Sequence, residues 1–325
     1  MSDVKKPLAM EDYANLEGSL QFGGAPAGDV PAGGPPVGFE VAMADVSWVK
    51  NKYLDVPYAD ASPAQRLDLY LPEEGEGPFP LVVHLHGGGF GMGDKRDDHM
   101  DTYLKLLQYG YAVGSVEYRL SGEAIFPAGF LDVREAFRFI KRNAAEYKID
   151  PDRICALGGS SGGNFAAMMA MNIPNGEFYG EEEQTFDGDC TVKAAVDQFG
   201  PIDFRALDDD ARENGVSFVD HDTPESAESS YMGGPLPTLS DEWLAKASPA
   251  TYINENMAPM LVQHGTVDKL VPFMQSARFV NEIYQKLGPG RVEFVPMPGA
   301  DHEGPEFSSD WNLKILTAWL DLNLK

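Results

Sequence analysis

From about residue 45 onward the sequence alternates short apolar segments with longer amphipathic ones, and this alternation restricts the fold more than any other feature. The run PLVVHLH at 80–86 is typical of a strand buried on both faces. The segment QRLDLYL at 65–71 alternates apolar and polar residues, which predicts a half-exposed strand. Apolar residues at spacings of three and four predict an amphipathic helix over 129–147. Further strands are predicted at 111–117, 153–158, 193–199, 260–264 and 291–296, and further helices at 162–171, 273–287 and 311–322. Such an order predicts an α/β fold with a mostly parallel central sheet and helices on both faces.

Two segments interrupt this order. Residues 18–38 are dense in glycine and proline, which excludes a regular helix or a central strand. Residues 1–44 are therefore predicted to form an arm, and residues 45–325 the domain. The arm could be disordered, strap across the fold, or reach a neighbouring subunit in a homo-oligomer. Residues 200–248 are too irregular for a crossover helix, which predicts a lid or cap insertion where ligands bind to such sheets. A surface excursion without a role in substrate choice is the alternative.

The charge of the chain disfavours several classes of partner. Lys and Arg number 25 against 51 Asp and Glu, giving a formal net charge of -26. Nucleic acids and anionic membranes both require basic surfaces, so neither is an expected partner. No apolar run reaches the roughly 18 residues of a membrane span, and MSDVKKPLAMEDY lacks the apolar core of a secretory signal. Two cysteines provide no disulfide framework, and a cytoplasmic protein is expected.

The segment ICALGGSSGG at 154–163 has the features of a nucleophile loop. An apolar strand leads into a glycine-flanked serine and then a helix, an arrangement that exposes the serine hydroxyl beside the helix N-terminus. The pattern G-x-S-x-G fits with either Ser160 or Ser161 at its centre. We favour Ser160, because it follows the strand after a two-glycine turn and leaves Gly163 for close helix packing. A glycine-serine loop without chemistry is the alternative for this motif alone.

A second glycine-rich segment, HGGGF at 86–90, directly follows the predicted strand 80–85. Its glycines allow the backbone to approach a substrate carbonyl, and its N–H groups could form an oxyanion hole. Gly88 and Gly89 are the candidate donors, together with the N–H group of Ser161. The pairing of this motif with GGSSGG about 70 residues later is more specific than either motif alone.

His84 and His86 face the same side of one predicted strand, and H-x-H is a spacing that can hold a metal ion. The chain has six histidines, but it contains neither H-E-x-x-H nor another cluster that would complete a metal site. We therefore expect neither a metal nor another cofactor.

A serine nucleophile requires a base, and the base requires an acid that fixes its tautomer. His302 lies in MPGADHEG after the last predicted strand, and Asp268 lies in HGTVDKLVP after the strand MLVQH. Both loops follow the carboxyl ends of strands, as does Ser160. The order Ser, Asp, His is the order in α/β-hydrolases, and these three residues are the predicted triad.

Other residues could serve as base or acid. His264 ends its strand ahead of a glycine and is expected to serve the turn. His99 and His221 lie in polar segments without a matching constellation. Asp301 is adjacent to His302, and neighbouring side chains rarely align for a hydrogen bond to Nδ1.

These segments resemble the esterase and lipase family related to hormone-sensitive lipase. The matching motifs are HGGGF, VEYRLS at 116–121, FPAGFLDVREAFRFI at 126–140, DPDRICALGGSSGG, ASPATYI at 247–253, HGTVDKLVP and GADH. The stretch VPYADASPAQRLDLYLPEEGEGPFP at 56–80 is more similar to the carbohydrate-esterase branch, which includes acetylxylan and feruloyl esterases. The resemblance covers about 45–325, is weak within 200–248 apart from YMGGP, and hardly extends to 1–44.

The resemblance implies an α/β-hydrolase fold and cofactor-free hydrolysis of carboxylic esters. It also implies specific roles, with a triad of Ser160, Asp268 and His302 and oxyanion donors at Gly88, Gly89 and Ser161. Because no secretion signal is present, polymeric xylan would not reach the enzyme, and short imported esters are the expected substrates.

The expected activity is that of a serine carboxylesterase acting on small-molecule esters with short acyl or phenolic groups, including esters on sugars. An amidase or arylformamidase would use the same triad. A peptidase of the prolyl-oligopeptidase type would also use it, but usually carries a further gating domain. A non-catalytic receptor on this fold typically lacks a triad member.

Overall fold

The computed structural model describes residues 41–176 and 188–325. Most of the predicted arm, residues 1–40, lies outside the described residues, so the predictions made for it stay predictions. No helix in the described part of the chain is long and apolar enough to cross a membrane.

Eight strands and eight α-helices are present among the described residues. The strands are β1 (Asn51–Pro57), β2 (Arg66–Leu71), β3 (Phe79–Leu85), β4 (Ala112–Val116), β5 (Ile149–Gly159), β6 (Ala194–Gln198), β7 (Met260–Gly265) and β8 (Val292–Met297). The helices are α1 (Met100–Tyr103), α2 (Ala128–Arg142), α3 (Ser161–Ala170), α4 (Leu207–Asn214), α5 (Ala227–Met232), α6 (Asp241–Ala247), α7 (Phe273–Leu287) and α8 (Asp310–Leu324). Short 3₁₀ turns occupy Leu104–Tyr109, Leu236–Thr238 and Pro249–Tyr252.

The strands form one sheet in the order β1-β2-β4-β3-β5-β6-β7-β8. β2 pairs antiparallel with both β1 and β4, and every other neighbouring pair is parallel. The predicted mostly parallel sheet is therefore confirmed. Since the parallel strands share one direction, the loops that follow β3, β5, β7 and β8 meet at one edge of the sheet.

Helices cover both faces of this sheet. On β3, Leu81 and Val83 belong to a core cluster that includes Phe165 of α3. Val82 belongs to a second cluster with Trp319 of α8. Alternate residues of one strand thus enter opposite layers, because successive side chains of a strand point to opposite faces. This packing holds the strand ends, and the loops that follow them, in fixed relative positions.

Three local predictions differ from the structure. The strand predicted at 65–71 is present as β2, but the prediction that it is half-exposed is wrong, since β2 is buried from Leu67 to Leu71. Its polar groups are satisfied internally: Asp68 is paired with Arg96 and accepts a hydrogen bond from Tyr70 Oη at 3.0 Å. The edge strand β1 was not predicted, because its mixed sequence has no clear periodicity. Helix α2 ends at Arg142 rather than at 147. The side chain of the next residue, Asn143, donates a hydrogen bond to the Phe139 carbonyl oxygen at 2.8 Å.

Residues 200–248, the predicted cap, contain α4, α5 and α6. Tyr231 of α5 stacks on Phe90 of the HGGGF loop, with ring centroids 3.9 Å apart, and its carbonyl accepts a hydrogen bond from Phe126 N at 2.7 Å. Phe204 joins the main core cluster. The cap therefore packs against the predicted oxyanion loop, while its role as a lid stays a prediction.

Candidate active site

Ser160 occupies a sharp turn between β5 and α3. Its backbone has φ 55° and ψ −126°, outside the conformations that residues with a side chain ordinarily adopt. Two hydrogen bonds hold this turn, from Ser160 N to Gln198 O at 2.9 Å and from Asn164 N to Ser160 O at 3.1 Å. Such strain at one residue is typical of a nucleophile turn. The turn geometry therefore belongs to Ser160, and Ser161 is the first residue of the helix.

Close packing explains two of the neighbouring glycines. A Cβ atom on Gly162 would overlap the carbonyl oxygen of Leu85, and one on Gly163 would lie 2.5 Å from Asp197 Oδ1. Any side chain at these positions would push α3 away from β3 and β6. The glycines thus allow the helix N-terminus to approach the sheet, and the Ser161 side chain is buried beneath the turn.

The HGGGF loop presents backbone N–H groups beside this turn. Gly88 has φ +107°, and a Cβ there would overlap the carbonyl oxygen of Met92. The Gly88 carbonyl accepts hydrogen bonds from Gly91 N and Met92 N, both at 3.1 Å, which curls the loop. Within residues 41–176 and 188–325, the N–H groups of Gly88, Gly89 and Ser161 have no acceptor. They are available to an anionic oxygen.

Asp268 and His302 are in direct contact. His302 Nδ1 donates to Asp268 Oδ2 at 2.8 Å, and only 1% of the Asp268 side chain is exposed. The other carboxylate oxygen accepts from Leu270 N at 2.8 Å and from Val271 N at 2.9 Å. These bonds fix the carboxylate and leave Nε2 of His302 as the nitrogen that can accept a proton.

The electrostatics of this pair favour a base held by an ionised acid. Burial opposes the charged form of Asp268, but His302 and His264 outweigh it and hold the pKa of the carboxyl far below its usual range. Burial likewise opposes the charged form of His302, but the Asp268 carboxylate raises the pKa of the imidazole above its ordinary value. His302 is therefore a stronger base than a free histidine.

Ser160 and the loop of His302 both approach Gly87. A Cβ atom built on Gly87 would be 3.5 Å from Ser160 Cβ and 3.4 Å from Glu303 Oε1. The ring of Phe199 packs against the His302 imidazole, with centroids 4.7 Å apart, and also approaches Gly159. Among the described residues the Ser160 hydroxyl makes no hydrogen bond, including to His302. In enzymes without substrate such contacts are often long and shorten when substrate binds.

His264 and Asp301, the alternative base and acid, make other contacts. His264 is fully buried, with Nδ1 2.7 Å from Ser276 Oγ and Nε2 3.0 Å from the Val271 carbonyl. Asp301 accepts hydrogen bonds from the backbone N–H of His302 at 2.8 Å and of Lys269 at 2.9 Å. Asp301 therefore contacts the backbone of His302 rather than its ring, and His264 contacts the acid, with Nε2 3.2 Å from Asp268 Oδ2.

Sequence reasoning missed a clamp that the cap makes on the acid loop. Three consecutive carbonyl oxygens of the acid loop each accept a hydrogen bond from this segment. Ser217 Oγ donates to the carbonyl of residue 268 at 2.6 Å, Phe218 N to that of residue 269 at 2.8 Å, and His221 Nε2 to that of residue 270 at 2.8 Å. His221 Nδ1 also lies 2.9 Å from Asp208 Oδ1. Burial opposes the charged form of His221, but Asp208 raises its pKa to about 9. Bonds to carbonyl oxygens impose no residue pattern, so the sequence offered no signal for this clamp.

The two histidines of the H-x-H motif contact different residues. His86 stacks on Tyr118, with ring centroids 4.2 Å apart, and its Nε2 is 3.4 Å from Glu117 Oε1. His84 lies against Tyr103, with ring centroids 4.8 Å apart. In the described part of the chain no three His, Cys, Asp or Glu side chains are arranged to hold a metal ion.

A cavity of about 210 Å³ opens between Gly87, the segment 98–103 and the loop that follows His302. Gly159, next to the strained serine, forms part of its wall. The cavity is therefore lined by the residue before the predicted nucleophile and, at Glu303, by the residue after the predicted base.

The model of a family described as BD-FAE matches residues 67–283. That segment runs from β2 into α7 and includes Ser160 and Asp268, but it ends before His302. The match covers well over half of the chain.

Curated relatives are similar over most of the domain. The probable carboxylic ester hydrolase LipM and the esterase LipQ of Mycobacterium tuberculosis are each 27% identical over 250 residues. These alignments cover 76% of this chain and 55% and 56% of the two relatives. The chain thus spans about half the length of the curated relatives it matches.

Solved structures share the architecture. A truncated carbohydrate esterase from gut microbiota superposes with a TM-score of 0.73, at 26% identity over 87% of this chain and 99% of that one. A bifunctional GH43-CE protein of Bacteroides eggerthii superposes with a TM-score of 0.71, at 31% identity over 84% of this chain and 35% of that one. The predicted α/β-hydrolase fold is confirmed.

Proposed function

The chain belongs to the BD-FAE family, and from this premise we propose that it is a serine carboxylesterase. The predicted relationship to the esterase and lipase family, on its carbohydrate-esterase side, is confirmed by the esterase relatives and the carbohydrate-esterase structures. The proposed substrates are small esters with short acyl or phenolic groups, including acetyl and feruloyl esters of sugars. Relatives named as ester hydrolases support the reaction class.

One arrangement carries the proposal. The strained Ser160, the hydrogen-bonded pair of His302 and Asp268, and uncommitted backbone N–H groups all lie in loops at the carboxyl edge of the sheet. A hydroxyl, a base with a fixed tautomer and donors for an oxyanion are the three components of acyl transfer. We assign the triad to Ser160, Asp268 and His302.

In acylation, Ser160 Oγ forms a bond to the ester carbonyl carbon while its proton passes to His302 Nε2. The N–H groups of Gly88, Gly89 and Ser161 bind the oxyanion of the tetrahedral intermediate. The bond from the carbonyl carbon to the alcohol oxygen then breaks, and His302 returns the proton to the departing alcohol. Asp268 stabilises the imidazolium throughout and remains ionised.

Water completes the cycle. Its oxygen bonds to the acyl carbon while His302 takes one of its protons, and the bond to Ser160 Oγ breaks as that proton returns to the serine. One ester and one water give one acid and one alcohol, so the reaction requires neither redox chemistry nor a cofactor.

The remaining predictions about the whole chain are also proposals. Residues 45–325 form the catalytic domain, with residues 200–248 as a wall or lid over the site. A cytoplasmic location and a homo-oligomer contact through residues 1–44 depend on a segment that lies mostly outside the described residues.

The test compares Ser160→Ala with Ser161→Ala. The substrates are nitrophenyl acetate and the corresponding amide, nitroacetanilide. We expect Ser160→Ala to lose roughly 10⁴-fold or more in kcat and to lose labelling by a fluorophosphonate. Ser161→Ala keeps its backbone N–H and should lose less than about tenfold. Undiminished turnover by Ser160→Ala would contradict the proposal. Faster amide than ester turnover would identify an amidase instead.

A further inference from the structure

The cavity that Gly159 helps to line is bounded by exposed charged residues and by buried neutral ones. The side chains of Asp98 and Glu303 are 59% and 40% exposed. Gln198 and Tyr103, which also line it, are only 1% and 5% exposed. A volume of about 210 Å³ has room for several water molecules. The cavity therefore brings buried polar groups into reach of solvent.

His84 in the wall of this cavity has hydrogen-bonding capacity that the protein does not use. It is only 2% exposed, and in the described part of the chain neither ring nitrogen makes a hydrogen bond. Burial lowers the pKa of His84 to about 3, so the ring is neutral and offers one donor and one acceptor. Buried waters in folded proteins typically bond polar groups of this kind, which would otherwise be unpaired. His84 therefore indicates the position of a bound water.

Two further side chains of the wall are held in fixed orientations. The Tyr103 hydroxyl donates to Gln198 Oε1 at 2.8 Å, and Gln198 Nε2 donates to Gln263 Oε1 at 2.7 Å. A phenol oxygen that donates one bond can still accept another, and an amide nitrogen has a second N–H. Tyr103 and Gln198 can therefore bond waters beside the one on His84.

The cavity borders the chain segments of both the predicted nucleophile and the predicted base. Gly159 precedes Ser160, and Glu303 follows His302. Phe199 also lines the cavity, and its ring packs against the His302 imidazole with centroids 4.7 Å apart. Once Ser160 is acylated, the water that releases the acyl group must reach the acyl carbon and give a proton to His302. Waters in this cavity are placed to supply that step.

We propose that this cavity holds the water that hydrolyses the acyl-enzyme, and that His84 is the positioning residue that orders it. The oxygen of this water bonds to the acyl carbon and one of its protons passes to His302, and the bond to Ser160 Oγ breaks as that proton returns to the serine. A held water has an advantage over a free alcohol as the acyl acceptor, so the cavity favours hydrolysis over acyl transfer. The inference rests on the proposed esterase function and adds where its second substrate is held.

The experiment measures how the acetyl-enzyme divides between water and an added alcohol. Nitrophenyl acetate is turned over in the presence of methanol, and the ratio of methyl acetate to acetic acid is determined. This ratio depends only on steps after acylation, and pre-steady-state release of nitrophenol gives the acylation rate separately. We expect His84→Leu to raise the ratio by about tenfold while the acylation rate changes less than about twofold. His84→Asn should recover part of the difference, since an amide also carries a donor and an acceptor.

Two further variants make the comparison specific. Val82→Ala alters a buried residue on the same face of β3 that does not line the cavity, so it should leave the product ratio unchanged. Tyr103→Phe removes a hydroxyl from the wall without enlarging the side chain, and it should raise the ratio by about threefold. Tyr103→Phe also tests the cavity if His84→Leu does not fold.

The outcomes separate this inference from the proposed function. Persistent turnover of nitrophenyl acetate by Ser160→Ala would overturn the function. If Ser160→Ala is inactive, a product ratio in folded His84→Leu equal to that of Val82→Ala would overturn the water site alone. An acylation rate that falls as much as the hydrolysis rate would also overturn it, because the cavity would then hold part of the ester. If only Tyr103→Phe folds, an unchanged ratio in that variant has the same consequence.

Discussion

The carboxylate of Asp268 and the imidazole of His264 are in contact, with Asp268 Oδ2 3.2 Å from His264 Nε2. The same oxygen accepts the hydrogen bond of His302 Nδ1 at 2.8 Å. One buried carboxylate oxygen therefore contacts two imidazoles, that of His302 and that of the fully buried His264. His264 helps to keep the acid ionised for its contact with His302.

The first prediction concerns this acid. Asp268→Asn replaces the acceptor with a neutral amide and allows the wrong tautomer of His302, so kcat for nitrophenyl acetate should fall by roughly 10³–10⁴. Asp301→Asn is the matched control, because Asp301 bonds the backbone rather than the ring of His302. It should cost less than about tenfold. Equal losses in the two variants would mean that Asp268 is not the acid of the triad.

The second prediction concerns pH. His302 must be neutral to accept a proton, and Asp268 raises its pKa above the ordinary value of 6.5. We expect kcat/KM to be low at acid pH, where His302 is protonated, and to increase as the pH rises through a pKa above 6.5. Glu303 also raises this pKa, so Glu303→Gln should shift the acid limb to lower pH. An acid limb that stays in place, or a flat profile between about pH 4 and pH 8, would be inconsistent with His302 as the base.

The third prediction tests the oxyanion loop. Gly88→Ala would place a methyl group against the Met92 carbonyl at φ +107°, and the loop must move. Misplacing these N–H donors should lower kcat by roughly 10²–10³. Gly122→Ala is the control, since Gly122 has no atom within 4 Å of the new methyl group. Similar activity in both variants would contradict the assignment of this loop.

The fourth prediction concerns the clamp between the cap and the acid loop. His221 has a folded-state pKa of about 9, above the ordinary 6.5, because Asp208 stabilises its charged form. Its contribution to the free energy of unfolding is therefore complete below about pH 6.5 and is lost as pH rises towards 9. The loss should be on the order of 2–3 kcal/mol.

Chemical denaturation at pH 6 and pH 9.5 measures this contribution. The wild-type chain should lose more stability between these values than His221→Gln, in which no imidazole titrates. His221→Gln should also lower kcat more than it raises KM, because it loosens the loop that holds Asp268. Parallel pH dependences in the two chains would mean that the His221 pair contributes no stability.

Much of the candidate site could be predicted because its signals are local. Ser160 and the HGGGF loop depend on glycines at fixed spacings, and close backbone approach gives those glycines a physical reason. Asp268 and His302 were predicted from their loops at strand ends. Burial of β2 could not be predicted, because the charged Asp68 indicates an exposed position in the sequence. In the structure Asp68 is buried because Arg96, distant in sequence, forms an ion pair with it.

The sequence by itself determined the alternation of strands and helices, and with it the sheet whose carboxyl edge gathers the glycine loops and the predicted triad. Only the tertiary structure decided which polar groups are in contact: the clamp of His221 on the acid loop, the contact of His264 with Asp268, and the unpaired His84 in the cavity wall. Periodicity and turn chemistry act between residues near in sequence. Hydrogen bonds between distant segments depend on packing that no short pattern records.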